Sequence, residues 1–297
     1  MRTLASIVTI LTGVLGALPT AFAGDGYGPS ESLIRGGTSQ YSIGNRDIAS
    51  SDEGSGQTFE LSSVNAYNIP IWRSVSAQLD MASEYYYRMN EHTDAKSSNV
   101  LGMHLSYRDP NRGLLGLFAA YAWSDVKTGH GNSGNYDMAM FGAEAQLYRG
   151  NWTLYGQAGF GNNTKGDPGE GFNSGWFVRG VARYFFRPDT KLEAEVSYAE
   201  ASPYIDGNDK GKFTAWGVSL DHKLFDFRSY PVYGTLAYRG AYYDATTEED
   251  HATEHVFKAG IKILFGASTL QQNDRYGATL DLPMLPVRAN SLTESID

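Results

Sequence analysis

Between residues 57 and 265 apolar and polar positions alternate with period two, one segment after another. Successive side chains of a strand face opposite sides, so this period predicts strands with one apolar face. In 74–89, Val75, Ala77, Leu79, Met81, Tyr85 and Tyr87 share one parity, and Ser76, Gln78, Asp80, Glu84 and Arg88 the other. In 190–200, Leu192, Ala194, Val196 and Tyr198 alternate with Lys191, Glu193, Glu195 and Ser197. In 254–265, Phe257, Ala259, Ile261, Ile263 and Phe265 alternate with Lys258, Gly260 and Lys262. The pattern recurs over 57–67, 97–108, 113–126, 136–148, 151–162, 174–186, 212–223 and 230–244, which brings the predicted strands to eleven. Each has about 11–16 residues, near or above the length a tilted strand needs to cross a bilayer.

The connections narrow the architecture. Short ones (YNIPIWRS, DPNRG, RGN, RPDT, KLFDFRSY) alternate with long polar ones (EHTDAKS, VKTGHGNSGN, NTKGDPGEGFNS, SPYIDGNDKGK, ATTEEDHAT). Tight turns at one end and long loops at the other are the asymmetry of a transmembrane β-barrel, and a soluble sandwich has no reason to keep it. Such barrels have even strand counts, so a twelfth strand is expected. Two stretches compete for it: 36–44 (GGTSQYSIG), followed by a polar loop over 45–56, and 275–282 (RYGATLDL). The first is preferred, because the second would put the two chain ends on opposite sides of the membrane. Trp72, Trp123, Trp152, Trp176, Trp216 and Phe265 all fall near predicted strand ends, the distribution of an aromatic girdle at a membrane interface. The predicted fold is therefore a closed antiparallel up-and-down barrel of twelve strands over 36–265.

Composition supports an envelope address. The chain opens with Arg2, an apolar run from Leu4 to Leu18 and the small-x-small site Ala21-Phe22-Ala23, the anatomy of a signal peptide cleaved after residue 23. Cleavage removes one cation and no acid, taking the net charge from −9 to −10. An acidic chain without a basic stripe excludes nucleic acid as a partner. The mean hydropathy of −0.37 is too polar for a helical membrane protein. Cysteine is absent while glycine numbers 34 and tyrosine 20, which suits a barrel held by its own hydrogen bonds.

In these features the chain resembles the porin-like outer-membrane β-barrels of Gram-negative bacteria. The resemblance implies residence in the cell outer membrane, contact with its lipid and lipopolysaccharide, and delivery by the outer-membrane insertion machinery. In that family the last strand carries an insertion signal of the form polar-x-Gly-x-x-hydrophobic-x-aromatic. Lys258, Gly260, Ile263 and Phe265 stand in that register, with Ile263 where an aromatic is common. The chain continues past Phe265, and 266–297 is expected to be a periplasmic extension, with 24–35 a short periplasmic segment before the barrel. Gln271–Tyr276 reads as loop, and Pro283 and Pro286 oppose a strand. Leu280, Leu282, Met284, Leu285 and Val287 suggest docking, either into the barrel from below or on a periplasmic protein.

The inward parity carries the candidate chemistry. Glu60, Asp80, Glu84, Arg88, Glu144, Arg179, Arg183, Glu193, Glu195, Arg239, Lys258 and Lys262 are expected to line the lumen. One reading is a water-filled pore with acidic and basic walls, porin-like, passing small hydrophilic solutes. The alternative is a structural, export or assembly barrel, for instance in polysaccharide export. Its lumen would be filled by salt bridges, and its tail would dock a periplasmic partner. A lipid-modifying enzyme is the weakest reading. His104-x-Ser106 has a suggestive spacing, but it faces the lumen and the next strand offers no Asn to orient the His. An autotransporter domain is set aside because 24–35 is too short for a passenger. His251 and His255 span a loop and a strand start rather than a helix, so no metal or other cofactor is expected.

Overall fold

The computed structural model describes residues 35–50, 54–88, 95–127, 133–165, 172–202, 211–244 and 251–293. The expected signal peptide, nearly all of 24–35 and most of the long loops lie outside the described residues.

Twelve strands make up the wall: β1 (Gly36–Ser50), β2 (Gly54–Trp72), β3 (Val75–Arg88), β4 (Ala95–Asp109), β5 (Gly113–Lys127), β6 (Ser133–Arg149), β7 (Trp152–Lys165), β8 (Ser174–Arg187), β9 (Thr190–Ser202), β10 (Gly211–Phe227), β11 (Tyr230–Asp244) and β12 (His251–Phe265). Each pairs antiparallel with its neighbours in the chain, and β1 pairs with β12 to close the barrel. The period-two pattern survives as burial. Along β7, Thr153, Tyr155, Gln157 and Gly159 are buried while Trp152, Leu154, Gly156 and Ala158 are exposed. The same holds around the barrel, where Leu115, Leu117, Phe141, Leu236 and Phe257 are exposed outward. A continuous apolar exterior over a polar interior is the arrangement a bilayer demands, since closure leaves no unpaired strand edge in lipid.

The twelfth strand is the N-terminal one, in register from Gly37 opposite Phe265 to Ser50 opposite Ala252. It is longer than expected. β1 runs to Ser50 and β2 begins at Gly54, so the stretch 45–56 is mostly strand rather than loop. Its charged residues had read as loop, but Arg46 points into the lumen and is buried there. Two of the short connections are likewise taken up by strand, with irregularities at Pro70/Trp72 and Lys223/Phe225 absorbing the misfit. The remaining short turns hold two or three residues, at 73–74, 110–112, 150–151, 188–189 and 228–229. Gly150 takes a φ of +55°, as a two-residue hairpin turn requires.

The larger correction concerns the tail. It does not extend away from the barrel. After β12 the chain turns at Gly266 (φ +82°) and enters the lumen. There α1 (Leu270–Tyr276) replaces the expected loop. Its N-terminus is capped by Thr269, whose hydroxyl accepts from the Gln272 N–H at 3.1 Å. An extended stretch to Pro283 follows, and then α2 (Met284–Thr293). Pro286 sits in the first turn of α2, where a missing N–H forfeits no helical bond. α1 lies at the short-turn end, where Gln271 N–H donates to Pro188 O at 3.0 Å and Arg275 Nη2 to Gly150 O at 3.2 Å. α2 lies toward the long-loop end, among Val100, Met138, Phe177 and Phe213. Apolar side chains in the tail had signalled docking, either into the barrel or on a periplasmic protein, and the surface they find is the barrel's own interior.

Candidate functional site

The lumen is the candidate site, and the tail divides it into layers. Toward the long loops the wall turns small and apolar, with Ala82, Ala120, Ala122, Ala199, Ala215 and Ala241 inward. These leave room for Phe118, Phe172, Phe177 and Phe213 and for Leu282, Leu285, Val287 and Ala289 of the tail. This apolar layer was missed, because alanine and glycine on the inward parity read as merely neutral.

Beside it lies an ionic cluster built across the barrel closure. Arg239 Nη2 is 2.6 Å from Glu254 and 3.4 Å from Glu60, and its Nη1 is 3.7 Å from Glu84. Lys258 pairs with Glu60 and reaches Glu84 at 3.6 Å. Arg46 donates to Glu254 at 2.9 Å and stacks over the Tyr86 ring. From the tail, Arg288 reaches Glu84 at 2.6 Å. The sequence had placed the acids of β2 and β3 and the bases of β11 and β12 on separate walls with a field between them. Closure through β1 puts Glu60 and Glu84 beside Arg239 and Lys258, and these neutralise each other, whereas Asp80 pairs with His104 and Lys262 with Asp221. Arg46 and Glu254 were missed because both sit in polar stretches beyond the apolar band.

A second cluster lies on β8 to β12. Arg179 bonds Glu195 through Nε at 2.9 Å, and Arg183 bonds Glu193 at 2.8 Å. These are the cross-strand pairs expected over the RPDT turn, with Arg183 directly opposite Glu193. Lys191 adds contacts to Glu193 at 2.9 Å and Asp221 at 3.2 Å, and Lys262 bonds Asp221 at 2.5 Å. The tail contributes two acids. Asp274 lies 3.0 Å from Arg183, and Asp281 lies 2.9 Å from Arg179 and 2.7 Å from Arg183.

Between the clusters the lumen grips the tail by its backbone. Gln78 donates to Leu280 O at 2.7 Å and accepts from the N–H groups of Thr279 and Leu280 at 3.0 and 3.2 Å. Gln146 donates to Thr279 O at 3.2 Å, Gln157 to Asp281 O at 3.0 Å and Arg108 to Gly277 O at 2.7 Å. An extended chain cannot satisfy its own amides, and these side chains supply the partners that burial demands. A cavity of about 250 Å³ remains between the tail and the wall, lined in part by Gln40, Arg179, Lys191, Glu193, Lys262 and Asp281.

His104 has both ring nitrogens committed, at 2.8 Å from Asp80 and 2.7 Å from Glu144. Ser106 Oγ instead pairs with Ser76 Oγ at 3.2 Å, so the His-x-Ser spacing brings no base to the hydroxyl. Arg88 ends β3 opposite Thr58, and its side chain lies outside the described residues. The six aromatics all project outward: Trp72, Trp152 and Phe265 near the short turns, Trp123, Trp176 and Trp216 nearer the long loops. Phe265 stacks edge-on against Tyr230, 5.4 Å away, and belongs to the same strand face as Ile263, opposite to that of Lys258 and Gly260.

The chain matches no protein-family model and no curated protein. Solved structures do resemble it. An outer-membrane channel from Pseudomonas putida F1 superposes with a TM-score of 0.54 at 12% identity, over 81% of this chain and 99% of that one. The translocator domain of the autotransporter NalP from Neisseria meningitidis superposes with a TM-score of 0.48 at 12% identity, over 88% and 97%. At such identities what is shared is the fold: a closed antiparallel β-barrel with an apolar exterior.

Proposed function

We propose that the protein is an outer-membrane channel for small hydrophilic solutes, closed in this conformation by its own C-terminal segment. The observation that carries this reading is the middle of the lumen. There the tail is held by ion pairs and amide side chains beside a charged cavity of about 250 Å³. Contacts of that kind exchange for water at small net cost, because each partner regains a hydrogen bond to solvent when the tail leaves. The wall left behind would be lined with charge of both signs, which sets solute selectivity in a pore.

A structural or export barrel is favoured by one observation, the apolar layer around α2. Opening the long-loop half would expose Leu285, Val287 and the phenylalanines to water, which burial opposes at about 25 cal/mol per Å². Planar-bilayer recording separates the two. The channel reading expects brief openings from the full chain. It expects a several-fold longer open time from the double variant Asp281→Ala, Arg288→Ala, which removes the tail's ion pairs to Arg179 and Glu84 and one of its two to Arg183, leaving that of Asp274. Currents indistinguishable from bare lipid in both proteins would leave the structural reading standing.

A further inference from the structure

One carboxylate in the middle of the lumen belongs to no strand. Asp281 Oδ2 accepts from Arg179 Nη1 at 2.9 Å and from Arg183 Nη2 at 2.7 Å. The two arginines stand four residues apart on β8 and so share its inward face. Each is held by its neighbour on β9, Arg179 through Nε by Glu195 and Arg183 through Nε by Glu193. Those bonds fix the guanidiniums with further N–H groups aimed at the tail. The result is a rigid pair of forks, the geometry that suits a carboxylate.

The occupant is held less firmly than the site. The side chains of Arg179 and Arg183 are 13% and 4% exposed, whereas that of Asp281 is 34% exposed, and the charged cavity beside it is lined by all three. Charge points the same way. Among the described residues the wall acids in ion-pair contact with Arg179, Arg183, Lys191 and Lys262 are Glu193, Glu195 and Asp221, so without Asp274 and Asp281 this set carries one cation in excess, while Asp80, which lines the same cavity, pairs with His104. The groups that position Asp281 also ask nothing particular of a polypeptide. Gln157 donates to its carbonyl and Arg183 Nη1 to the carbonyl of Thr279, acceptors that many polar solutes offer.

We infer that Arg179 and Arg183 form the binding site for the carboxylate of a transported solute, and that Asp281 fills it as an internal stand-in. This rests on the channel reading for the word transported, though not for the site. Solute and tail then compete for the same two guanidiniums, so a carboxylate-bearing solute weakens the plug's hold as it binds.

The test uses acetate as the probe and the full chain throughout. Asp281→Ala vacates the site without shortening the tail, and Asp281→Asn, which keeps the shape, serves the same purpose if the alanine variant does not fold. Calorimetric titration of the detergent-solubilised protein with sodium acetate is expected to show at least tenfold tighter binding to the variant than to the unsubstituted chain. The gain should disappear when Arg179→Gln or Arg183→Gln is added, and sodium chloride at equal ionic strength should not reproduce it. Equal acetate affinity with and without Asp281 would overturn the inference. Bilayer recording of the same variant reports separately on the channel reading. Absence of current there sinks conduction, while the titration still decides whether the arginine pair takes a carboxylate.

Discussion

Arg183 is one of the residues through which wall and tail are joined. Its guanidinium reaches Glu193 on β9, Asp274 and Asp281 of the tail, and both the carbonyl and the hydroxyl of Thr279. Truncating one partner of a buried ionic network leaves the others uncompensated, at about 3–5 kcal/mol. Arg183→Ala is therefore expected to cost about that much. Asp281→Asn, at a wetter position that keeps its shape, should cost about 1–2 kcal/mol. Urea midpoints of the two variants in lipid vesicles check the ranking, and equal midpoints would show that the tail, not the wall, sets the value of the cluster. Half of this cluster was legible in the sequence. Arg179 and Arg183 face Glu193 and Glu195 because a two-residue turn fixes the register of β8 on β9. Asp274 and Asp281 were not legible, since no periodicity ties a residue beyond the last strand to a position inside the barrel.

The elements that read poorly are those whose side chains show no clear apolar–polar period. β1 shows Tyr41, Ile43 and the small Ala49 as apolar outward residues, with Ser39, Asn45 and Asp47 between and beside them, so its alternation is faint although its pairing to β2 and β12 is continuous. α1 has seven residues, too few to display a helical period. α2 is enclosed on every described side, with Leu285, Pro286, Val287 and Ala289 all buried. An enclosed helix has no polar stripe to announce it. The faces of β1 are nonetheless distinct in energy. Ile43 stands at the middle of the strand, 53% exposed on the outer side, whereas Gln40 lines the inner cavity. Ile43→Arg should cost about 2–4 kcal/mol if it meets the bilayer midplane, and Gln40→Arg well under half of that. Equilibrium folding into vesicles measures both, and comparable losses would mean that β1 does not face lipid as the barrel places it.

For the whole molecule the question is which part moves. A barrel of twelve paired strands is stiff, so a passage can open either by withdrawal of the tail or by displacement around a tail that stays. The narrow point between these alternatives is where Leu282 packs directly over Gly102 of β4, leaving no room for a Cβ there. A covalent link at that contact would pin the tail while leaving strands and loops free. The chain contains no cysteine, so Gly102→Cys with Leu282→Cys would carry the only two thiols. Leu282 Cδ2 stands where a Cβ on Gly102 would lie, so with both residues replaced by cysteine the two side chains face each other across this contact. If the tail is the gate, the oxidised variant holds bilayer current at the lipid baseline and dithiothreitol restores the openings of the unsubstituted chain, while either single cysteine variant ignores both treatments. Current that persists after oxidation would place the passage beside a stationary tail, through the charged cavity along Lys191, Glu193 and Lys262. In that case the ion pairs of Asp281 and Arg288 would shape a permanent pore wall, and their loss would change selectivity rather than open time.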